Sequence, residues 1–131
     1  MSTSGGVQVV DQAAAGDVAV VVATSGNVAN APAVATLPGV AGKTTYITGF
    51  EITAAGATAG LVVDVTVTGP AATLHYTYAF PAGALIGAAP YVVEFPRAVP
   101  AAAANTAIAV TLPASGAGGT NAAVNAHGYQ A

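Results

Sequence analysis

Cysteine and tryptophan are absent from this chain of 131 residues, and charge is nearly so, with five Asp or Glu against two Lys or Arg. Without cysteine there is no disulfide framework and no thiolate metal site, which leaves the redox compartment open. Two cations, Lys43 and Arg97, cannot neutralise a row of phosphates, so a nucleic-acid partner is excluded, as is a polybasic membrane anchor. Charged residues make up 5% of the chain, where an ordinary soluble domain carries roughly 25%. A monomer of this composition would show water broad neutral patches, and such patches mark interaction surfaces. Much of the surface is therefore expected to be covered when the protein works.

Long apolar runs are also missing, despite a mean hydropathy of +0.68. No formal charge follows Arg97, but Pro100, Asn105, Pro113 and the "SGAGGTN" stretch break that region before about 20 uninterrupted apolar residues accumulate. No membrane partner is expected. The opening "MSTSGGVQVV" has neither the basic nor the apolar region of a secretory leader, which points to synthesis in the cytoplasm.

What the chain does contain is small and apolar. Hydrophobic residues reach 54% with only 6% aromatic, punctuated by 16 glycines and 8 prolines. Small side chains with frequent breaks suit thin, close-packed β-layers joined by turns. No window holds a 3.6-residue apolar period, whereas alternation recurs from Lys43 onward. In "TYITGFEIT", strict alternation puts Tyr46, Thr48, Phe50 and Ile52 on one face and Ile47, Gly49, Glu51 and Thr53 on the other. The same pattern gives inward rows Leu61/Val63/Val65/Val67, Leu74/Tyr76/Tyr78/Phe80, Tyr91/Val93/Phe95, Ile108/Val110/Leu112 and Ala122/Val124/Ala126.

The expected fold is all-β: an antiparallel β-sandwich or jelly roll of about seven or eight strands. Residues 1–42 read as an extended N-terminal arm and loop with one or two short strands, in "VQVV" and "DVAVVVA", and residues 43–131 as the sandwich domain.

Groups capable of chemistry are few and scattered. His75 and His127 are the only imidazoles, neither forms a motif at metal-ligand spacing, and both fall on the polar phase of their strands. Ser2, Ser4, Ser25 and Ser115 lack the setting of a strained nucleophile elbow. Glu51, Asp64 and Glu94 could be paired for glycoside cleavage, but the tyrosines that would cradle a sugar fall in the apolar rows. "SGAGGTN" lacks the lysine and following helix of a phosphate loop. No catalytic residue, metal ligand or cofactor is expected.

Candidate interface residues are Val18, Val20 and Val22 in the uncharged run, Leu85 and Ile86 in a loop, and the cations Lys43 and Arg97. Each cation sits at a strand boundary, suited to a salt bridge with a carboxylate or, for Arg97, to a guanidinium fork across a subunit interface.

Together, "AGKTTYITGFEIT", "VTVTG", "YTYAFPAG", "PYVVEFPRAVPA" and "ANTAIAVTLPASGAGGTNAAVNAHGYQ" resemble small tailed-phage virion proteins encoded among head genes. The family pattern is a "GK-x-x-Y-(I/V)-T" strand, a "P-A-G" loop, an "F-P-x-x-(I/V/L)-P-A" segment and a closing "A-(T/N)-V-x-A-x-G-Y" strand. The resemblance covers about Ala41 to Ala131 and implies a head-decoration, or cement, protein: a β-sandwich, often a homotrimer, that binds the major capsid protein on the outside of an icosahedral head. Such proteins carry no catalytic residues to transfer. The alternative is a receptor- or glycan-binding β-module of a phage tail fibre, which should expose Trp, Tyr or charge in its loops. A secreted lectin-like or enzyme domain predicts an export signal and clustered carboxylates.

Overall fold

The computed structural model describes residues 18–83, 85–116, 119 and 121–131. Eight strands follow one another: β1 (Ala19–Thr24), β2 (Ala33–Leu37), β3 (Thr45–Ala55), β4 (Leu61–Thr68), β5 (Leu74–Phe80), β6 (Tyr91–Pro100), β7 (Ile108–Leu112) and β8 (Asn121–Gln130). No helix occurs among the described residues. The strands form two four-stranded antiparallel sheets, ordered β1-β8-β3-β6 and β2-β7-β4-β5. Every connection except β4–β5 passes from one sheet to the other. This winding is that of a jelly roll, and it confirms the all-β sandwich expected from the alternation.

β1 and β2 precede Lys43, in the stretch expected to be an arm and loop. Both are hydrogen-bonded into the sheets along their length, β1 to β8 and β2 to β7. The described sandwich therefore includes β1 and β2, which lie on the N-terminal side of residue 42. The reason is pairing: Ala33, Ala35 and Leu37 alternate into the core, so β2 fills a gap that β7 alone would leave open. The short strand expected at "VQVV" lies outside the described residues.

The core comprises the inner rows of both sheets, and Phe50, Ile52, Val65, Val67, Ile108, Val110, Leu112 and Val124 are fully buried there. Phe50 packs against Tyr76 at 5.3 Å in edge-to-face geometry and against Phe95 at 6.3 Å. Aromatic pairs of this geometry add about 0.5–1.5 kcal/mol beyond area burial.

One expectation fails within β3. Thr45 and Ile47 point inward, and then Phe50, Ile52 and Ala54 do, so the inward phase changes from odd to even positions. A β-bulge causes this: opposite β8, pairing jumps from Ile47↔Gly128 to Gly49↔His127 and leaves Thr48 extra. β6 is irregular at the same place, with pairing that passes from Val99 to Glu94. An extra residue inverts every side chain beyond it. Tyr46 accordingly lies on the outer face and not in the core with Phe50.

Gly128 is required here. A Cβ on Gly128 would collide with the backbone carbonyl oxygen of Tyr46. At the mouth of the same strand, buried Thr45 and Gln130 both donate to the Pro38 carbonyl, at 2.8 and 2.7 Å, and tie the β2–β3 loop to the sheet.

Candidate functional site

The bulge sets the geometry of the outer face of β1-β8-β3-β6. Tyr46 and Tyr129 face each other across β3 and β8 and stack with ring centroids 4.8 Å apart and planes 12° from parallel. Val20 of β1 is paired to Tyr129 and Val22 to His127, so two valines flank the aromatic and imidazole positions. These valines are 78% and 75% exposed, far more than alternation on a sheet interior allows.

His127 is the polar centre of this face. Its Nε2 pairs with Glu51 Oε2, and both side chains are about one-third exposed, at 31% and 33%. Thr48, the extra residue of the bulge, donates its hydroxyl to the His127 carbonyl at 2.9 Å and lies 3.4 Å from Nδ1. Hydroxyl, imidazole and carboxylate thus line up in the order of a catalytic relay, but the hydroxyl proton is committed to a backbone carbonyl. A relay needs that proton directed at the ring nitrogen. What remains is a clamp: each ring nitrogen of His127 has a side-chain oxygen beside it.

The second histidine makes a similar pair on the opposite sheet. His75 Nδ1 lies 2.7 Å from Asp64 Oδ2, with both side chains well exposed. Its surroundings are the neutral outward rows of β4 and β5, including Thr66, Thr77 and Ala79. Neither pair gains a third ligand: among the described residues no group of three or more His, Cys, Asp or Glu could hold a metal ion. Ser25 is spent on its turn, donating to the Gly26 carbonyl at 2.7 Å and accepting from the Val124 N–H at 2.9 Å. Ser2 and Ser4 lie outside the described residues.

The residues proposed as interface positions fall in separate places. Val20 and Val22 stand on β1, the edge strand of this sheet, with side chains on the outer face, and Val18 immediately precedes that strand. Lys43 lies in the turn before β3, near the end of β8, where Thr44 N–H donates to the Ala131 carbonyl at 2.8 Å. Leu85 and Ile86 lie at the opposite end, and Leu85 is 98% exposed. Around it, Gly83 N–H donates to the Ala57 carbonyl, Gly56 N–H to that of Ile86 and Ala88 N–H to that of Ala54, at 2.8, 3.2 and 2.9 Å. Beside it, Ile86, Ala88 and Pro90 line an open groove of about 520 Å³ with Tyr78, Phe80 and Tyr91.

For Lys43 and Arg97 the readings are a salt bridge with a carboxylate or, for Arg97, a fork across a subunit interface. Among the described residues the ion pairs are the two histidine pairs alone, so neither cation has a carboxylate partner. For Lys43 the geometry accounts for this: Glu51 and Asp64 are engaged with histidines in mid-strand, whereas Lys43 sits in an end turn.

Sequence reasoning missed the Tyr46–Tyr129 stack and the exposed Val62 and Val92. The stack depends on the bulge. The glycine pair, Gly49 on β3 and Gly128 on β8, was its only trace in the sequence. No family model matches the chain, and neither a curated protein nor a solved structure does.

Proposed function

We propose that this protein is a structural virion component that binds the major capsid protein on the outer surface of an icosahedral phage head as a homo-oligomer, a trimer by the resemblance, and stabilises the shell. The observation that carries this reading is the display of large apolar side chains, Val20 and Val22 on β1 and Leu85 in the β5–β6 loop, in a chain that has almost no charge. Single exposed apolar residues are ordinary, but a nearly chargeless surface is not, and covering it is the economical role. Lys43 and Arg97, without carboxylate partners among the described residues, are free to meet acidic groups on a neighbouring chain. Many identical copies on a lattice convert individually weak contacts into net stabilisation of the shell, because a protein that binds only the assembled state shifts the equilibrium toward it.

The test is to add the purified protein to phage heads lacking it and image the particles by electron microscopy. Density over the outer shell, with a raised temperature of DNA release, is the expected result. Density at the tail tip alone would establish the tail-fibre reading instead, and no binding to either would remove both.

A further inference from the structure

Among the described residues the sandwich has four edge strands, and three carry features that discourage pairing with another chain. β2 is five residues long and bounded by Pro32 and Pro38. β5 places His75, paired to Asp64, along its outer row. β6 contains Glu94, Pro96, Arg97 and Pro100 and has an irregular register. Short length, proline, charge and irregularity are the ordinary protections of a sheet edge.

β1 has none of them. Its six residues, AVVVAT, contain no charge, proline or glycine, and its register with β8 is unbroken from Ala19 to Thr24. Among the described residues β1 pairs with β8 alone, so no described strand covers its other side. Its sequence also reads the same in both directions about Val21: Ala19, Val20, Val21, Val22, Ala23. Two antiparallel copies of such a strand, related by a two-fold axis, set every residue against its own kind. A two-fold contact sets residue i against j and j against i, and here both members of each pair are the same small or β-branched apolar residue.

We propose that β1 is a two-fold contact between copies of this chain. The β1 strands of two molecules pair antiparallel about an axis through Val21, with Val20 facing Val22 of the second copy and Ala19 facing Ala23 of the second copy. Pairing occupies the open backbone groups and joins two four-stranded sheets into one of eight strands. On the outer face it gathers Val20 and Val22 of both molecules into a four-valine cluster between the Tyr129 and His127 positions. β-branched side chains suit such cross-strand pairs. The strand is uncharged, so two copies meet without like-charge repulsion. This contact stands independently of capsid binding. If trimers form through other surfaces, it links two of them.

The test uses the full chain, which has no cysteine to confuse it. Under mild oxidation, Val21→Cys should give a covalent dimer. Thr24→Cys should not, because in this register residue 24 faces residue 18, placing the two introduced thiols about 20 Å apart by strand rise. In light scattering over a concentration series, the unaltered protein should form a particle with an even number of chains. Val20→Lys together with Val22→Lys should halve that number and weaken association at least tenfold. Val20→Lys with Val22→Glu should restore it, since each lysine then faces a glutamate of the second copy. Both positions point into solvent, so these changes leave the sandwich folded. The inference is overturned if Val21→Cys stays unlinked, if the opposite-charge variant behaves like the like-charge one, or if the particle has an odd number of chains throughout. Any of these would assign the edge to residues 1–17 or to another protein. None bears on whether the chain binds capsids.

Discussion

In the sheet β2-β7-β4-β5 the inward residues follow simple alternation along each strand, whereas in β1-β8-β3-β6 the alternation changes phase within β3. The regular sheet turns threonines and small residues outward, and its aromatic row, Tyr76, Tyr78 and Phe80, packs inward or toward the open groove. The bulged sheet sends one aromatic residue of β3 inward, Phe50, and one outward, Tyr46. A single inserted residue thus moves a ring from the core to the surface. It also places Thr48 against the His127 carbonyl, so the feature that disturbs the core organises the outer face.

The most direct way to break this comparison is to truncate the two rings. Under uninterrupted alternation Tyr46 and Phe50 would be equivalent, with equal losses. With the bulge, Phe50→Ala should cost about 3–5 kcal/mol, as a fully buried ring does, and Tyr46→Ala about 1–2 kcal/mol, the stacking of a half-buried pair plus the part of its area that is covered. Urea denaturation of both variants measures the difference. Similar losses would place the two rings on one face.

A second substitution probes the bulge at its tightest point. Gly128→Ala should cost about 1–3 kcal/mol or more, because the added methyl meets backbone and cannot be relieved by a rotamer change. In the regular sheet, an outward change such as Thr66→Ala should stay within about 0.5 kcal/mol. Thermal unfolding of the pair sharpens the contrast. A harmless Gly128→Ala would mean that β3 and β8 are farther apart than described.

Much of the architecture was legible because burial on one side of a strand imposes a period of two, and that period survives in the sequence wherever the strand is regular. Ile108, Val110 and Leu112 are a clear case, and all three are fully buried. Three things were not legible. Alternation says nothing of an inserted residue, so Tyr46 was assigned to the wrong face. β1 and β2 read as an arm because the run Val18–Val22 lacks alternation and Pro32 and Pro38 crowd β2, although both pair fully. The His127–Glu51 and His75–Asp64 pairs join residues 76 and 11 positions apart, and only the sheet register brings them together. The candidate interface residues were identified by composition, but their distribution over an edge strand and both ends of the sandwich came from topology.

The smallest effect tests the aromatic row of the regular sheet, through pH. Burial raises the Tyr78 phenol above its ordinary value of 10.0, and burial followed by the neighbouring Tyr91 raises that of Tyr76. A phenol whose folded pKa lies above its unfolded one contributes stability that is fully present below about pH 10. That stability is lost as pH rises through the folded value, because the unfolded chain releases the proton first. Unfolding free energy should therefore hold steady from neutral pH to about 9.5 and then fall, by at most about 1.4 kcal/mol per pH unit for each phenol. Tyr78→Phe should flatten that decline. It should also leave stability at pH 7 unchanged or raise it by up to about 1 kcal/mol, because the Tyr78 hydroxyl is buried without a hydrogen-bond partner among the described residues. Denaturation series at pH 7, 9.5 and 11 measure both effects. An unaltered alkaline slope in Tyr78→Phe would place the ring in water, and with it the edge of the core that the regular sheet is built to close.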